Sequence, residues 1–226
     1  MVMDRRKVIE QIEEKSCIAI VRGIEAKHCS ALAQALYDGG ISLIEVTFDQ
    51  KDRDGWQQTL EGIRVIRDHL GDKVCVGAGT VMTKEQVTLA KGAGASFLIS
   101  PHLDTELIRL TNEQGMVAIP GALTPTEVVQ AWKAGAAFVK TFPADVGGPS
   151  FIRAVKAPLG HIPLLAVGGV NEKNVRSFLE AGACGVGIGG SLVNRQWILQ
   201  NEFEKIRDLA EQIVIEIRAY KAGVIG

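Results

Sequence analysis

The chain contains 226 residues, of which 46% are hydrophobic and 23% are charged, and its formal net charge is −1. This is the balance of a globular protein, and the near-neutral charge gives no basis for non-specific binding to nucleic acid or to an anionic membrane. Residues 1–16 are charged and lack the apolar centre of a signal peptide, and no apolar run approaches membrane-spanning length. We therefore expect a cytoplasmic protein whose partners include neither nucleic acid nor a membrane.

Cysteine and histidine spacing gives no sign of a metal centre. The cysteines lie at positions 17, 29, 75 and 184 without a CxxC pair, and the histidines show neither HxH nor HExxH spacing. Disulfide frameworks and zinc sites usually carry closer and more regular spacings. We therefore expect four reduced thiols and no metal ligands.

Short apolar runs, many of them β-branched, alternate along the chain with longer segments of helical period. The runs lie at 17–21, 43–48, 74–79, 96–100, 116–120, 138–142, 164–169 and 185–190. Eight strand–helix units without a linker predict a single α/β domain over residues 1–226, an eight-stranded parallel (β/α)8 TIM barrel. An extra N-terminal helix over 3–15 is expected to cover its lower end. A doubly wound open sheet is the less favoured alternative, because eight units would make it wide.

Polar residues and glycines mark the predicted helix ends. Thr124, followed by Pro125 and Glu127, has the sequence of a helix N-terminus, and Asn171 is predicted to cap another helix. Glycine in a left-handed conformation is predicted to close five helices, at Gly39, Gly92, Gly115, Gly135 and Gly182.

The C-terminal ends of the strands are where a barrel carries its chemistry. Glycine pairs follow the seventh and eighth predicted strands, as Gly168–Gly169 and Gly189–Gly190, and Ser191 comes next. Backbone N–H groups in such turns can bind an anion, and barrels often bind phosphate at these two strand ends. The pairs therefore favour an anion site, although glycine at a barrel rim also serves tight turns.

Two ionisable residues are predicted to point into the barrel. In the run 138–142, Lys140 shares one strand face with Phe138 and Phe142, and in 43–48 Glu45 shares a face with Thr47. They lie on the second and sixth strands, and alternate strands supply the side chains of one interior layer. We therefore expect the carboxylate and the amine to meet near the upper mouth.

A buried amine can perform covalent chemistry. An ordinary lysine has a pKa of ~10.4, and desolvation by Phe138, Phe142 and Pro143 would lower it, which leaves an amine able to form a Schiff base with a carbonyl group. Glu45 is predicted to exchange protons through a water molecule. The alternative is a buried salt bridge that only closes the barrel.

Motifs spread over nearly the whole chain resemble the family of 2-keto-3-deoxy-6-phosphogluconate (KDPG) and 4-hydroxy-2-oxoglutarate (KHG) aldolases. They include GGISLIEVTF, VGAGTV, LISPHLD, IPGALTPTEV, FVKTFPA, LLAVGGV and GVGIGGSLV, in the order of the family. The resemblance implies a class I aldolase, without metal or cofactor and usually trimeric. It would split a 4-hydroxy-2-keto acid, in many members phosphorylated, into pyruvate and an aldehyde.

The resemblance also implies roles for individual residues. Lys140 is similar to the Schiff-base lysine and Glu45 to the general acid and base, while Thr80 and Arg22 correspond to ligands of the pyruvyl carboxylate or another substrate anion. The remaining implied contacts are Pro101 and Phe142 against the pyruvyl group and Gly168, Gly169, Gly190 and Ser191 around a distal phosphate.

Two positions depart from the gluconate-type pattern and leave the aldehyde partner open. Asp49 stands where that pattern often has an arginine, and Val167 stands where it has threonine, as in galactonate-type (KDPGal) relatives. A KDPGal aldolase is therefore an alternative within the family. A phosphate-binding isomerase or synthase without a covalent lysine, and a sugar-acid-binding barrel without activity, are the alternatives outside it.

Overall fold

The computed structural model describes residues 4–53 and 55–225, and its centre is a parallel sheet closed into a barrel. The strands are β1 (Cys17–Val21), β2 (Leu43–Thr47), β3 (Cys75–Gly79), β4 (Phe97–Ile99), β5 (Val117–Ile119), β6 (Gly121–Ala122), β7 (Val139–Thr141), β8 (Leu164–Val167) and β9 (Gly185–Ile188). Their order in the sheet is β5-β4-β3-β2-β1-β9-β8-β7-β6.

The barrel closes because β5 and β6 follow one another around Pro120. β5 pairs with β4 on one side, and β6 pairs with β7 on the other. The N–H of Lys140 donates to Pro120 O at 2.9 Å, and that of Ala137 donates to Ala118 O at 3.3 Å. The two segments therefore act as the fifth of eight barrel strands, and the predicted (β/α)8 fold is confirmed.

Helices surround the barrel in the gaps between strands. They are α1 (Arg5–Lys15), α2 (Ala26–Asp38), α3 (Trp56–Leu70), α4 (Lys84–Ala93), α5 (Thr105–Glu113), α6 (Pro125–Lys133), α7 (Gly148–Lys156), α8 (Val175–Glu180), α9 (Arg195–Leu199) and α10 (Phe203–Ile225). In the part of the chain that the structure describes, none of them is both long and apolar enough to cross a membrane.

The apolar side chains form an inner and an outer layer, as strand alternation requires. Phe138 belongs to the cluster inside the barrel, whereas its neighbour Val139 packs outside against helices. Val8 and Ile12 of α1 join the inner cluster, so the predicted N-terminal helix does cover the lower end. Its predicted first residue, Met3, lies outside the described residues.

The helix starts were predicted with mixed success. Thr124 and Glu127 form a reciprocal capping box with Pro125 in the first turn, as predicted. Asn171 caps the turn that leads into the helix, since its Oδ1 accepts from Lys173 N at 2.9 Å, but α8 itself begins only at Val175. Oδ1 of Asn174 accepts from Asn171 N at 2.8 Å, and this bond stabilises the turn that precedes the helix.

Left-handed glycines close three of the five predicted helices: Gly115, Gly135 and Gly182, with φ of 75°, 95° and 102°. Gly39 has an ordinary φ of −76°, and Gly40 after it takes the left-handed conformation at 92°. Gly92 lies inside α4, which ends two residues later at Gly94 with φ of 101°. α4 therefore continues past the predicted glycine, whereas α2 ends just before Gly39 and only the left-handed position moves to Gly40.

Candidate active site

Lys140 lies inside the barrel near the C-terminal ends of the strands. It pairs with Gly121 of β6 and with Leu165 of β8, and only 5% of its surface is exposed. Its Nζ lies 4.3 Å from the centroid of the Phe142 ring. The amine is therefore held between strands and against an aromatic face instead of reaching into solvent.

Glu45 points into the same interior from β2, where it pairs with Ile20 and Gly77. It is 1% exposed, and its Oε2 atom is buried without a hydrogen-bond partner. The carboxylate occupies space that Gly79 leaves free, since a Cβ at that position would overlap it and would lie 2.6 Å from Glu45 Cγ. Sequence reasoning treated the glycines of this strand only as a rim feature and missed this packing role.

The two buried charges perturb each other's protonation. Burial lowers the pKa of Lys140, the nearby Arg22 cation lowers it as well, and the Glu45 carboxylate opposes them by raising it. Burial also raises the pKa of Glu45, while Lys140 and Arg22 oppose that shift. Over the described ranges 4–53 and 55–225, no ion pair within 4.0 Å includes either residue. The carboxylate and the amine thus influence each other's protonation inside the barrel, without a tight salt bridge.

Thr80 follows β3 directly and has a φ of 55°, a left-handed conformation that few threonines adopt. Its hydroxyl accepts a long hydrogen bond of 3.5 Å from Nη2 of Arg22, which follows β1. The side chains of these two predicted anion ligands are therefore adjacent across the strand ends.

A cavity of about 320 Å³ opens above Lys140. Its lining includes seven predicted site residues: Arg22, Lys140, Phe142, Gly168, Gly169, Gly190 and Ser191. Gly168 and Gly169 have φ of 103° and 71°, so both glycines adopt left-handed backbone in the turn after β8. The predicted anion-binding turns and the predicted covalent lysine therefore face one space.

Pro101 is not among the residues lining this cavity, but it lies beside the strand next to Lys140. A Cβ on Gly121 would lie 2.5 Å from the Pro101 carbonyl carbon, so the glycine permits a close backbone approach. Because Gly121 pairs with Lys140, the loop that contains Pro101 borders the lysine's strand.

The two departures from the gluconate-type pattern lie in different places. Val167 lines the cavity above Lys140. Asp49 lines a neighbouring cavity of about 310 Å³, and its Oδ1 accepts from Lys51 N at 2.9 Å. Of the two, only Val167 borders the same space as the amine.

The cysteine thiols have no part in this mouth. Burial raises the pKa of Cys17 and of Cys75 to about 12 and that of Cys29 to about 11, which keeps these groups protonated. Among the described residues, no group of three or more histidine, cysteine, aspartate or glutamate side chains is arranged to hold a metal ion.

Fold and site together define a (β/α)8-barrel enzyme whose mouth combines a buried amine of lowered pKa, a buried carboxylate and glycine turns. The model of the KDPG and KHG aldolase family matches residues 8–209, and the chain belongs to this family.

Named relatives and a solved structure agree with that assignment. The chain is 34% identical over 208 residues to the 2-dehydro-3-deoxy-6-phosphogalactonate aldolase of Escherichia coli (strain K12). This alignment covers 92% of this chain and 95% of that protein. It is 29% identical over 213 residues to the 2-dehydro-3-deoxy-phosphogluconate aldolase of Haemophilus influenzae, with 92% and 96% covered. The KDPG aldolase from Legionella pneumophila, with pyruvate captured at low pH as a covalent carbinolamine intermediate, aligns with a TM-score of 0.81 at 26% identity, over 91% of this chain and 97% of that one.

Proposed function

We propose that the protein is a class I aldolase that cleaves a 4-hydroxy-2-keto acid to pyruvate and an aldehyde through a Schiff base on Lys140. The observation that carries the proposal is the buried Lys140 amine, whose pKa is lowered and which faces a cavity at the barrel mouth. The covalent carbinolamine of the Legionella relative supports the same chemistry.

The proposed reaction uses the two buried groups in sequence. The neutral amine of Lys140 attacks the C2 carbonyl carbon, and the resulting carbinolamine loses water to give a protonated imine. Glu45, through a water molecule, then takes the proton of the C4 hydroxyl group. The C3–C4 bond breaks, its electron pair passes into the imine, and the aldehyde leaves. The enamine accepts a proton at C3, and hydrolysis releases pyruvate and the free lysine.

The separation of the two groups suits this cycle. A carboxylate in direct contact with the amine would stabilise its protonated form and raise its pKa. Because Glu45 lies beyond ion-pair distance of the amine, burial remains the largest influence on the pKa of Lys140. Burial raises the pKa of Glu45, which makes this carboxylate a better proton acceptor than an exposed glutamate.

Further residues are assigned to substrate binding in this proposal. Thr80 and Arg22 bind the pyruvyl carboxylate, since their hydroxyl and guanidinium groups are adjacent. Pro101 and Phe142 pack against the pyruvyl carbon atoms. The backbone around Gly168, Gly169, Gly190 and Ser191 binds a distal phosphate, which the left-handed turn after β8 supports.

Within the family, we propose the galactonate-type phosphorylated acid as a substrate beside KDPG and KHG. Val167 favours it, because this side chain lines the cavity and offers no hydroxyl to the substrate. The substrate preference is tested by measuring kcat/KM for KDPG, for its galactonate epimer and for KHG. A clear preference for KDPG would contradict this interpretation of Val167.

Reductive trapping tests the Schiff base. The protein is incubated with pyruvate, reduced with borohydride and weighed intact, beside Lys140→Ala and the control Lys173→Ala, which removes an exposed lysine after β8. We expect one pyruvyl adduct on the wild type and on Lys173→Ala, and none on Lys140→Ala. Pyruvate binding without any adduct on the wild type would instead favour a non-covalent isomerase or synthase.

We also propose that the protein is a homotrimer of single-domain chains in the cytoplasm. The support for an oligomer is a protein cage designed by fusing symmetric oligomeric domains, of which a chain aligns with this one at a TM-score of 0.82 and 33% identity. Sedimentation equilibrium tests the assembly, and a monomer at micromolar concentration would contradict the trimer.

A further inference from the structure

Thr80 holds a backbone conformation that its own side chain opposes. A β-branched residue at positive φ is strained, and such strain persists only where the surroundings fix the chain. One constraint comes from the backbone, because the N–H of Val81 donates to Ile99 O at 3.1 Å. A second comes from a side chain, because Nε2 of Gln50 donates to Thr80 O at 2.7 Å.

Gln50 is itself oriented by a second glutamine. Gln86, at the start of α4, is fully buried, and its Nε2 donates to Gln50 Oε1 at 3.2 Å. The Oε1 of Gln86 accepts from the N–H groups of Met82 and Thr83 at 2.7 and 3.2 Å. Since the Gln50 oxygen faces Gln86, its amino group is directed to Thr80.

The left-handed conformation has a consequence for ligand binding. Within the described part of the chain, the N–H of Thr80 donates to no acceptor, although that of the next residue, Val81, donates to Ile99 O. The Thr80 hydroxyl lies 3.5 Å from Arg22 Nη2. An unbonded N–H, a hydroxyl group and a guanidinium group close together are the donors that a carboxylate needs.

We propose that Gln50 and Gln86 are positioning residues that hold Thr80 in this conformation and so present its N–H and hydroxyl groups to the carboxylate of the 2-keto acid. The inference rests on the proposed function, because it assigns the carboxylate to Thr80. It extends that function to a pair of glutamines, Gln50 on the loop after β2 and Gln86 in the first turn of α4, that act through Thr80.

The two glutamines differ in their use for a test. Gln86 also takes part in the capping box of α4 with Thr83, so replacing it would weaken the helix start as well. Gln50 is exposed, and its side chain bonds only Thr80 and Gln86 among the described residues. Gln50→Met keeps the length of the side chain and its neutral charge and removes both hydrogen bonds.

The experiment measures borohydride trapping of pyruvate against pyruvate concentration for the wild type and Gln50→Met. Gln57→Met, at an exposed glutamine on α3, is the matched control. We expect Gln50→Met to raise the half-saturating pyruvate concentration about tenfold, because the hydrogen bond that fixes Thr80 is lost. The maximal trapping rate should stay near that of the wild type, and the Tm should fall by only a few degrees, because the buried amide of Gln86 loses this partner.

Acetone separates positioning from general damage, because it has the methyl ketone of pyruvate but no carboxylate. We expect its trapping rate to be the same in Gln50→Met and in the wild type. Equal half-saturation in the two proteins, or an equal loss with acetone and pyruvate, would overturn the positioning role while leaving the aldolase proposal intact. Absence of any pyruvate adduct on the wild type would overturn the proposed function and this inference with it.

Discussion

Replacing Gly79 by alanine should remove the activity without removing the fold. Gly79 is the last residue of β3, and its φ is not in the left-handed region, so the backbone accepts alanine. The three atoms nearest to the new methyl group all belong to the side chain of Glu45, which lies where that group would be. The substitution therefore displaces the proposed general acid and base without touching it chemically.

The expected loss follows from the geometry. The new Cβ would lie 2.6 Å from Glu45 Cγ, whereas carbon atoms in contact are usually about 3.5–4.0 Å apart, so Cγ must retreat by about 1 Å. The carboxylate, further along the side chain, overlaps the methyl group and must move more. A displacement of this size at a reacting group costs about 100-fold in rate, so we expect kcat to fall by about that factor.

Three measurements decide this prediction: kcat for cleavage, borohydride trapping of pyruvate, and urea unfolding. The stability should change by no more than about 1 kcal/mol, because alanine restricts the unfolded chain while Glu45 adopts another rotamer. Gly92→Ala, in an open position on α4, is the matched control and should keep full activity.

A double-mutant cycle with Glu45→Gln tests the cause. If Gly79→Ala acts only by displacing Glu45, the double variant should be no slower than Glu45→Gln alone. Undiminished kcat in Gly79→Ala would refute the assignment of Glu45 as the proton-transfer group at its observed position. Additive losses would show that the methyl group blocks the substrate instead.

Three further predictions concern Arg22 and the capping box of α6. Arg22→Ala removes a cation that lowers the pKa of Lys140, so the rise of the trapping rate with pH, measured at saturating pyruvate, should move to higher pH; an unchanged profile would contradict this. Thr124→Ala breaks the capping box of α6 and should cost about 1 kcal/mol in urea unfolding at pH 7. Hydrogen bonds from Leu123 and Thr124 lower the pKa of Glu127. The stabilising contribution of this carboxylate is present above the unfolded pKa of about 4.3 and should be lost as the pH falls through the folded pKa. The urea unfolding curves of Glu127→Gln and the wild type should therefore converge in acid.

Local sequence patterns were sufficient where one element decides the outcome. The alternation of Phe138, Val139 and Lys140 is enough to assign inner and outer faces, because the side chains of a strand point to opposite sides. The box of Thr124 and Glu127 is likewise local. The errors occurred where two candidates stood close together, as at Gly39 and Gly40, since helix length depends on packing that the pattern does not contain.

The sequence by itself determined the barrel, the inward direction of Glu45 and Lys140, and the family, because periodicity and motif order lie in the chain. The roles of Glu45 as proton-transfer group and of Lys140 as Schiff-base residue stay predictions, which the kinetics of the variants and the borohydride trapping of pyruvate test. Only the tertiary structure decided how far apart the two charges lie, that Gly79 makes room for the carboxylate, and that Gln50 reaches Thr80. These facts depend on contacts between different strand–helix units, and such contacts exist only once the ring of strands has closed.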